Sequence, residues 1–213
     1  AGFAVGLVEG RRCCARPAAS RGLLDQVRRA AAHNLGLLRG GSEPLVFLEP
    51  SCWSMFVDEY RALGIPGADE VAARAVLFED FVAGLIEREP EALGFNGELG
   101  PVAVHGHCHA KALADARRVL GLLAGLPGAA PRWLDSGCCG MAGAFGMMAA
   151  HRELSGLVAR PLLEAIASLP AGTAVVAAGT SCRHQIGDLG SVRPLHPAEL
   201  LARCLQPRSA ERS

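Results

Sequence analysis

Residues 135–146 read DSGCCGMAGAFG, and the adjacent thiols of Cys138 and Cys139 are the most chemically pointed feature of the chain. Neighbouring Cα atoms sit about 3.8 Å apart across a trans peptide, closer than the roughly 4.4 Å at which relaxed disulfides begin. Cys138 and Cys139 are therefore not expected to bond each other. Cys108 lies upstream in HGHCHAKAL and Cys182 downstream in GTSCRHQI. Four thiols drawn from separate stretches can bind zinc, ligate an iron–sulfur cluster or cycle as redox thiols. Structural zinc usually takes two C-x₂₋₄-C knuckles, which this sequence lacks, although His107 and His109 keep a mixed Cys/His site open. Gly137, Gly140, Gly143 and Gly146 crowd the pair, and without a Cβ they let backbone N–H groups approach sulfur closely, which tunes a cluster's potential. The plain alternative is a tight strand-to-helix turn. A dinucleotide loop is a poorer fit, because G-x-G-x-x-G is absent.

The elements that must position these thiols are legible around them. Short valine-rich runs recur at Phe3 to Val8, Leu45 to Leu48, Val102 to Val104 and Thr173 to Ala178. Continuous apolarity, rather than alternation, predicts strands covered on both faces. Helical spacing of apolar residues runs from Gly22 to Leu38, through Ala112, Ala116 and Val119 to Leu123, and from Leu154 to Leu169. Strands alternating with helices predict an α/β fold of βαβ-type units with mostly parallel sheets. Cys108, Cys138, Cys139 and Cys182 each follow a strand, and ligands gather at that end of parallel sheets.

The same order occurs upstream. A strand-like run ends in Cys13 and Cys14, a helix follows, and LVFLEPS ends in Cys52, where Pro50-Ser51-Cys52 echoes Thr180-Ser181-Cys182. The spacing from Cys14 to Cys52 is close to that from Cys139 to Cys182. An internal repeat predicts two related halves. The counterpart of Cys108 would fall before residue 1, so the first half is expected to lack its N-terminal part. The organisation expected is a partial first repeat at 1–64, a helical connector at 65–100, a second repeat at 101–205 and a polar tail at 206–213.

Composition narrows the function classes. The 213 residues are half hydrophobic, with 21 basic and 21 acidic side chains, enough to bury sizeable cores. Zero formal net charge and no basic cluster beyond short arginine pairs argue against nucleic acid as a partner. The apolar runs are too short for a transmembrane segment, and no secretory signal opens the sequence, so a cytoplasmic protein is expected, peripheral to a membrane only through partners. Eight cysteines in such a chain predict metal or redox chemistry rather than a disulfide scaffold.

HGHCHAKAL, LDSGCCGMAGAFG and GTSCRHQI, with RRCCARP and LEPSCWSMFVDEY upstream, resemble the cysteine-rich CCG domains. These occur in the iron–sulfur subunits of glycolate oxidase and anaerobic glycerol-3-phosphate dehydrogenase, in heterodisulfide reductase, and in the C-terminal region of FAD-linked D-lactate or D-2-hydroxyacid dehydrogenases. The resemblance runs from about Gly2 to Leu205. It implies that Cys108, Cys138, Cys139 and Cys182 ligate one iron–sulfur cluster of the 4Fe–4S type. It implies that Cys13, Cys14 and Cys52 serve the other half, where zinc sometimes replaces a cluster. It further implies electron transfer for a flavin-linked oxidoreductase of a 2-hydroxy acid such as D-lactate or glycolate. FAD would then sit in another domain or partner, and this chain would not act alone. Two departures stand out: Ala15 replaces the repeat's glycine, and only three cysteines serve the first half. The rivals are a zinc-binding structural or docking module, and a cluster that itself reacts with thiols or disulfides. An open cleft over Cys108 and Cys182 would favour the latter, and a tryptophan-covered site would favour relay.

Other residues carry paired readings. His105, His107 and His109 share one side of an extended HGHCH, and hydrogen bonding to sulfur or moving protons is preferred to ligation. Glu49 is either an oxygen ligand or, more in keeping with a strand-end carboxylate, solvated or paired. Asp135 and Ser136 are turn caps. His184 is a rim residue or an exposed helical one, and His196 caps the last helix. Cys204 is core. Trp53 and Trp133, beside the cysteine loops, are expected to pack so as to shield the site from water.

Overall fold

The structure, a computed structural model, describes residues 1–96 and 99–205. The tail expected at 206–213 lies outside the described residues, as do two positions of the connector. The fold is α/β, and the strands named below pair in parallel.

Helices α1 (Arg16–Ala19) and α2 (Leu24–Leu38) precede strand β1 (Leu45–Phe47). Helix α3 (Pro50–Ser54) passes through a π-helical turn, Met55–Glu59, into α4 (Tyr60–Ala62), and α5 (Ala68–Ala72) follows. Strand β2 (Ala75–Leu77) pairs with β1, and α6 (Phe78–Arg88) closes this part. The second half runs β3 (Pro101–His105), α7 (Cys108–Leu113), α8 (Arg118–Ala124), β4 (Ala130–Trp133), α9 (Arg152–Ala167), β5 (Ala174–Ala177), α10 (Thr180–Leu189) and α11 (Pro197–Cys204). Its sheet order is β4-β3-β5.

The strands read as continuously apolar because helices cover both faces. Val102, Val104 and Val176 face α6, α8 and α11, where Val82, Leu123 and Leu200 meet them. Ala103, Val175 and Ala177 face Leu162, Ile166 and Ile186 of α9 and α10. Fully burying one such side chain stabilises by roughly 1.5–3 kcal/mol. The first half has its own core, in which Val27, Ala31 and Leu35 of α2 pack on Met55, Phe56, Tyr60 and Val71.

Three sequence expectations differ from the structure. Phe3 to Val8 forms no strand, and Val5 is 89% exposed. By the repeat this segment matches β4, which is held only by central β3, and no described strand lies beside Phe3 to Val8 to play that part. The connector expected to be helical over 65–100 is interrupted, because Ala75–Leu77 extends to pair with β1. The apolar spacing across 112–123 is split at Ala114, which is extended, and Asp115 restarts the helix by accepting from the N–H of Arg117.

Candidate metal centre

The three parallel strands of the second half deliver their cysteines to one edge. Cys108 opens α7 after β3, Cys138 and Cys139 follow β4, and Cys182 lies in the first turn of α10 after β5. Their side chains influence one another in the order Cys108, Cys138, Cys139, Cys182, each thiol shifting its neighbour's hold on its proton. Four adjacent thiols share protons, because neighbouring negative charges repel. Hydrogen bonds from Cys108 and Cys139 hold the Cys138 thiol far below its usual range, while those two donors are pushed up. The Cys139 S–H likewise holds Cys182 well below its usual value, against its burial and with help from His105. A thiol row that already favours two thiolates matches what a metal ligand set requires.

Gly140 explains the glycine that follows the cysteine pair. Its N–H donates to Cys138 Sγ at 3.3 Å, and its φ is +88°. A Cβ there would lie 2.1 Å from the carbonyl oxygen of Ser155. Ser155 Oγ donates to the Gly140 carbonyl at 2.9 Å, and Gln185 Nε2 donates to Ser155 Oγ at 2.8 Å. Gly143 lines the site with φ +67°, beside Ser20. Gly137 has open space about it, and its carbonyl accepts from Lys111 Nζ at 3.1 Å.

The first half repeats the arrangement with three thiols. Cys14 Sγ and Cys52 Sγ lie 3.1 Å apart, with Cys13 exposed beside them. The Cys52 S–H draws the Cys14 thiol down to about 7 despite its burial, and Cys52 is pushed up in return. Ala15, standing where the second half has Gly140, nevertheless takes φ 62°, the same left-handed conformation. Asn34 and Tyr60 fix the pair's backbone: Asn34 Oδ1 accepts from the N–H of Arg12 at 2.8 Å, and Tyr60 donates to the Cys14 carbonyl at 2.7 Å. Neither residue was singled out from the sequence, although an asparagine on the apolar face of α2 was a readable signal.

Both sets of thiols line one cavity of about 760 Å³ between the halves. Cys13, Cys14 and Cys52 contribute from one side, and Cys108, Cys138 and Cys139 from the other. Cys182 is buried beneath them. Among the described residues no three His, Cys, Asp or Glu side chains are set to hold a single metal ion.

Glu49 ties the halves together. Burial alone would raise its carboxyl, but the N–H of Thr180 at 2.7 Å and the N–H and hydroxyl of Ser51 hold it below the usual range. Those bonds make it a paired carboxylate that joins the start of α3 to the start of α10. His109 Nδ1 is hydrogen-bonded to Ser54 Oγ at 2.7 Å across the same junction, and burial followed by neighbouring His107 lowers it to about 4. His105 and His107 are buried, the latter capping α7 by accepting from the N–H of His109 at 3.2 Å. The turn into α7 therefore replaces the extended HGHCH expected. Ser136 Oγ meets His105 Nδ1 at 3.4 Å.

The remaining residues settle as follows. His184 is both exposed and on the cavity rim. His196 caps α11 by accepting from the N–H of Ala198 at 3.0 Å, while its Nε2 donates to the Leu48 carbonyl at 2.8 Å. Cys204 is buried in the core. Trp53 and Trp133 pack behind the cysteine loops, the first donating to the Ala75 carbonyl and the second lying against Gly106. Cys108 therefore faces an open cleft.

Compared with known proteins, residues 102–187 match the CCG family, a cysteine-rich domain. The chain is 28% identical over 214 residues to one of the subunits of the anaerobic glycerol-3-phosphate dehydrogenase of Escherichia coli K12, covering 96% of this chain and 52% of that protein. It is 30% identical over 161 residues to the D-2-hydroxyglutarate dehydrogenase of the same organism, covering 74% of this chain and 15% of that protein. The chain thus spans about half the length, or less, of these relatives. The match to the CCG family takes in Cys108, Cys138, Cys139 and Cys182. No helix among the described residues is long and apolar enough to cross a membrane.

Proposed function

We propose that this chain is the iron–sulfur electron-transfer region of a flavin-linked dehydrogenase acting on a 2-hydroxy acid. The observation that carries the reading is the row of four thiols at the ends of three parallel strands. The donor set fits an iron–sulfur cluster: four cysteine thiols brought to one sheet edge, with Cys138 and Cys182 held below their usual range and a backbone N–H on Cys138 Sγ. Such a cluster, when bound, takes up and releases electrons one at a time. Cys108, Cys138, Cys139 and Cys182 would hold it, with His105 and the Gly140 N–H as hydrogen-bonding partners of sulfur. His107 and His109 would shape the same wall. Cys13, Cys14 and Cys52 would form a second, smaller set for a cluster or zinc. The relatives' names, one from an anaerobic glycerol-3-phosphate dehydrogenase and one a D-2-hydroxyglutarate dehydrogenase, support a dehydrogenase partner. The substrate class follows the second of them. FAD in that partner follows from the family resemblance.

The test is anaerobic titration of the purified chain with reduced flavin. Its visible absorption should bleach on addition of reduced flavin and stay unchanged with D-lactate or glycolate alone. Bleaching by substrate alone would refute the division of labour.

One observation favours a second reading. The cavity over Cys108 is open and large enough for a small molecule, which suits a thiol or disulfide substrate meeting the centre. Reoxidation of the reduced chain by a small organic disulfide would support that reading, and its absence would leave relay.

A further inference from the structure

Behind the loop of His105, Gly106 and His107 lies a second, small cavity of about 20 Å³, whose wall also includes Glu79. One water molecule needs about 10–15 Å³ of such space and several polar partners. Glu79, near the start of α6, is 9% exposed, and its Oε2 has no hydrogen-bond partner among the described residues. Its own backbone N–H pulls the carboxyl down only in part. A buried carboxylate oxygen left bare is costly, so the group keeps a proton, binds water, or does both. Burial, the largest influence, pushes this carboxyl up to about 7, and the charges of Asp80 and Glu49 push the same way.

The other ionisable groups around α6 leave it unpaired. Arg118 of α8 is bound to Glu87 and influences Asp80. His196, at the cap of α11, packs its ring near Phe78 and is committed to the Leu48 carbonyl, while Arg203 at the far end of α11 is exposed. Across the cavity stand the buried His105 and His107. His105 in turn acts on the Cys182 thiol, helping to hold it below its usual value. A path of polar groups therefore runs from Glu79, across room for one water, to the innermost sulfur of the row.

We propose that Glu79 is a proton store for the thiol-held centre, reaching the His105 segment through one buried water and taking up a proton when the centre gains an electron. One electron enters from a reduced flavin, or from dithionite in the test. One proton passes from solvent to the Glu79 carboxylate, and no bond to sulfur breaks. Negative charge added beside a buried carboxylate favours its protonated form. This inference rests on the iron–sulfur reading. Glu79 is a positioning and charge-balancing residue, since it touches no sulfur.

The test compares wild type, Glu79→Gln and Glu79→Asp, purified anaerobically. Infrared spectra of the protein should show a carboxylic-acid carbonyl band that disappears as pH rises through neutrality and is missing from Glu79→Gln. In dithionite titrations the wild-type midpoint potential should fall as pH rises, approaching about 59 mV per tenfold drop in proton concentration, the one-electron limit. Glu79→Gln should lose most of that slope and Glu79→Asp should keep part of it. A Glu79→Gln protein with full colour and an unchanged slope overturns this inference alone. A colourless wild type overturns the iron–sulfur reading and this inference with it.

Discussion

Replacing Gly140 by alanine probes why a glycine closes the cysteine pair. The left-handed conformation at φ +88° costs a residue with a Cβ about 1–2 kcal/mol. The new methyl would lie 2.1 Å from the Ser155 carbonyl oxygen, a backbone atom that cannot swing aside, and overpacking of this kind costs about 1–3 kcal/mol. The stiffer unfolded chain returns about 0.4–1 kcal/mol. Gly140→Ala should therefore lose about 2–4 kcal/mol. It should also lose bound iron, because relief of the clash moves the N–H that now points at Cys138 Sγ. The reciprocal change, Ala15→Gly, acts at φ 62° and should be worth no more than about 1 kcal/mol of gain, since the relieved backbone strain is offset by a looser unfolded chain. Urea denaturation followed by circular dichroism, with iron per chain measured alongside, reads both. A Gly140→Ala protein within about 0.5 kcal/mol of wild type and fully loaded with iron would refute the close-packing account.

Glu79 gives a pH prediction. Its carboxyl ionises near 4.5 when unfolded and about 7 when folded, so the unfolded state holds fewer protons in that window and stability falls as pH rises through it. The difference is worth about 3 kcal/mol at 1.36 kcal/mol per pH unit, so Glu79→Gln should match wild type near pH 4 and exceed it by up to that amount near pH 8 in urea denaturation. Glu49→Ala strips the acceptor from the Thr180 N–H and from Ser51, and should cost about 1–3 kcal/mol in the same assay. Cys204→Ala removes one buried sulfur far from the cavity. It should cost about 1 kcal/mol and leave iron content unchanged, which metal analysis checks.

The parts of the fold carried by local pattern were readable from sequence. Val102 to Val104 and Thr173 to Ala178 announced doubly covered strands because both faces of that sheet are packed by helices. The cysteines followed those strands, and the repeat of Pro50-Ser51-Cys52 in Thr180-Ser181-Cys182 placed Cys52 and Cys182 alike in the first turn of a helix. Elements fixed by long-range pairing were not readable. Ala75 to Leu77 carries the same apolar residues as the helices that flank it, and only β1 makes it a strand. Phe3 to Val8 has strand-like composition without a neighbour to bond. Nor does spacing reveal that the thiols of both halves face one cavity, or that Glu79, remote in sequence from every cysteine, lies behind His105.

The central claim is tested most directly by the visible spectrum and the iron, sulfide and zinc content of the anaerobically purified chain, measured beside Cys139→Ser. The account predicts a brown protein with iron and sulfide in similar amounts, both lost on substitution. A colourless protein carrying stoichiometric zinc, with the variant merely losing that zinc, would contradict it.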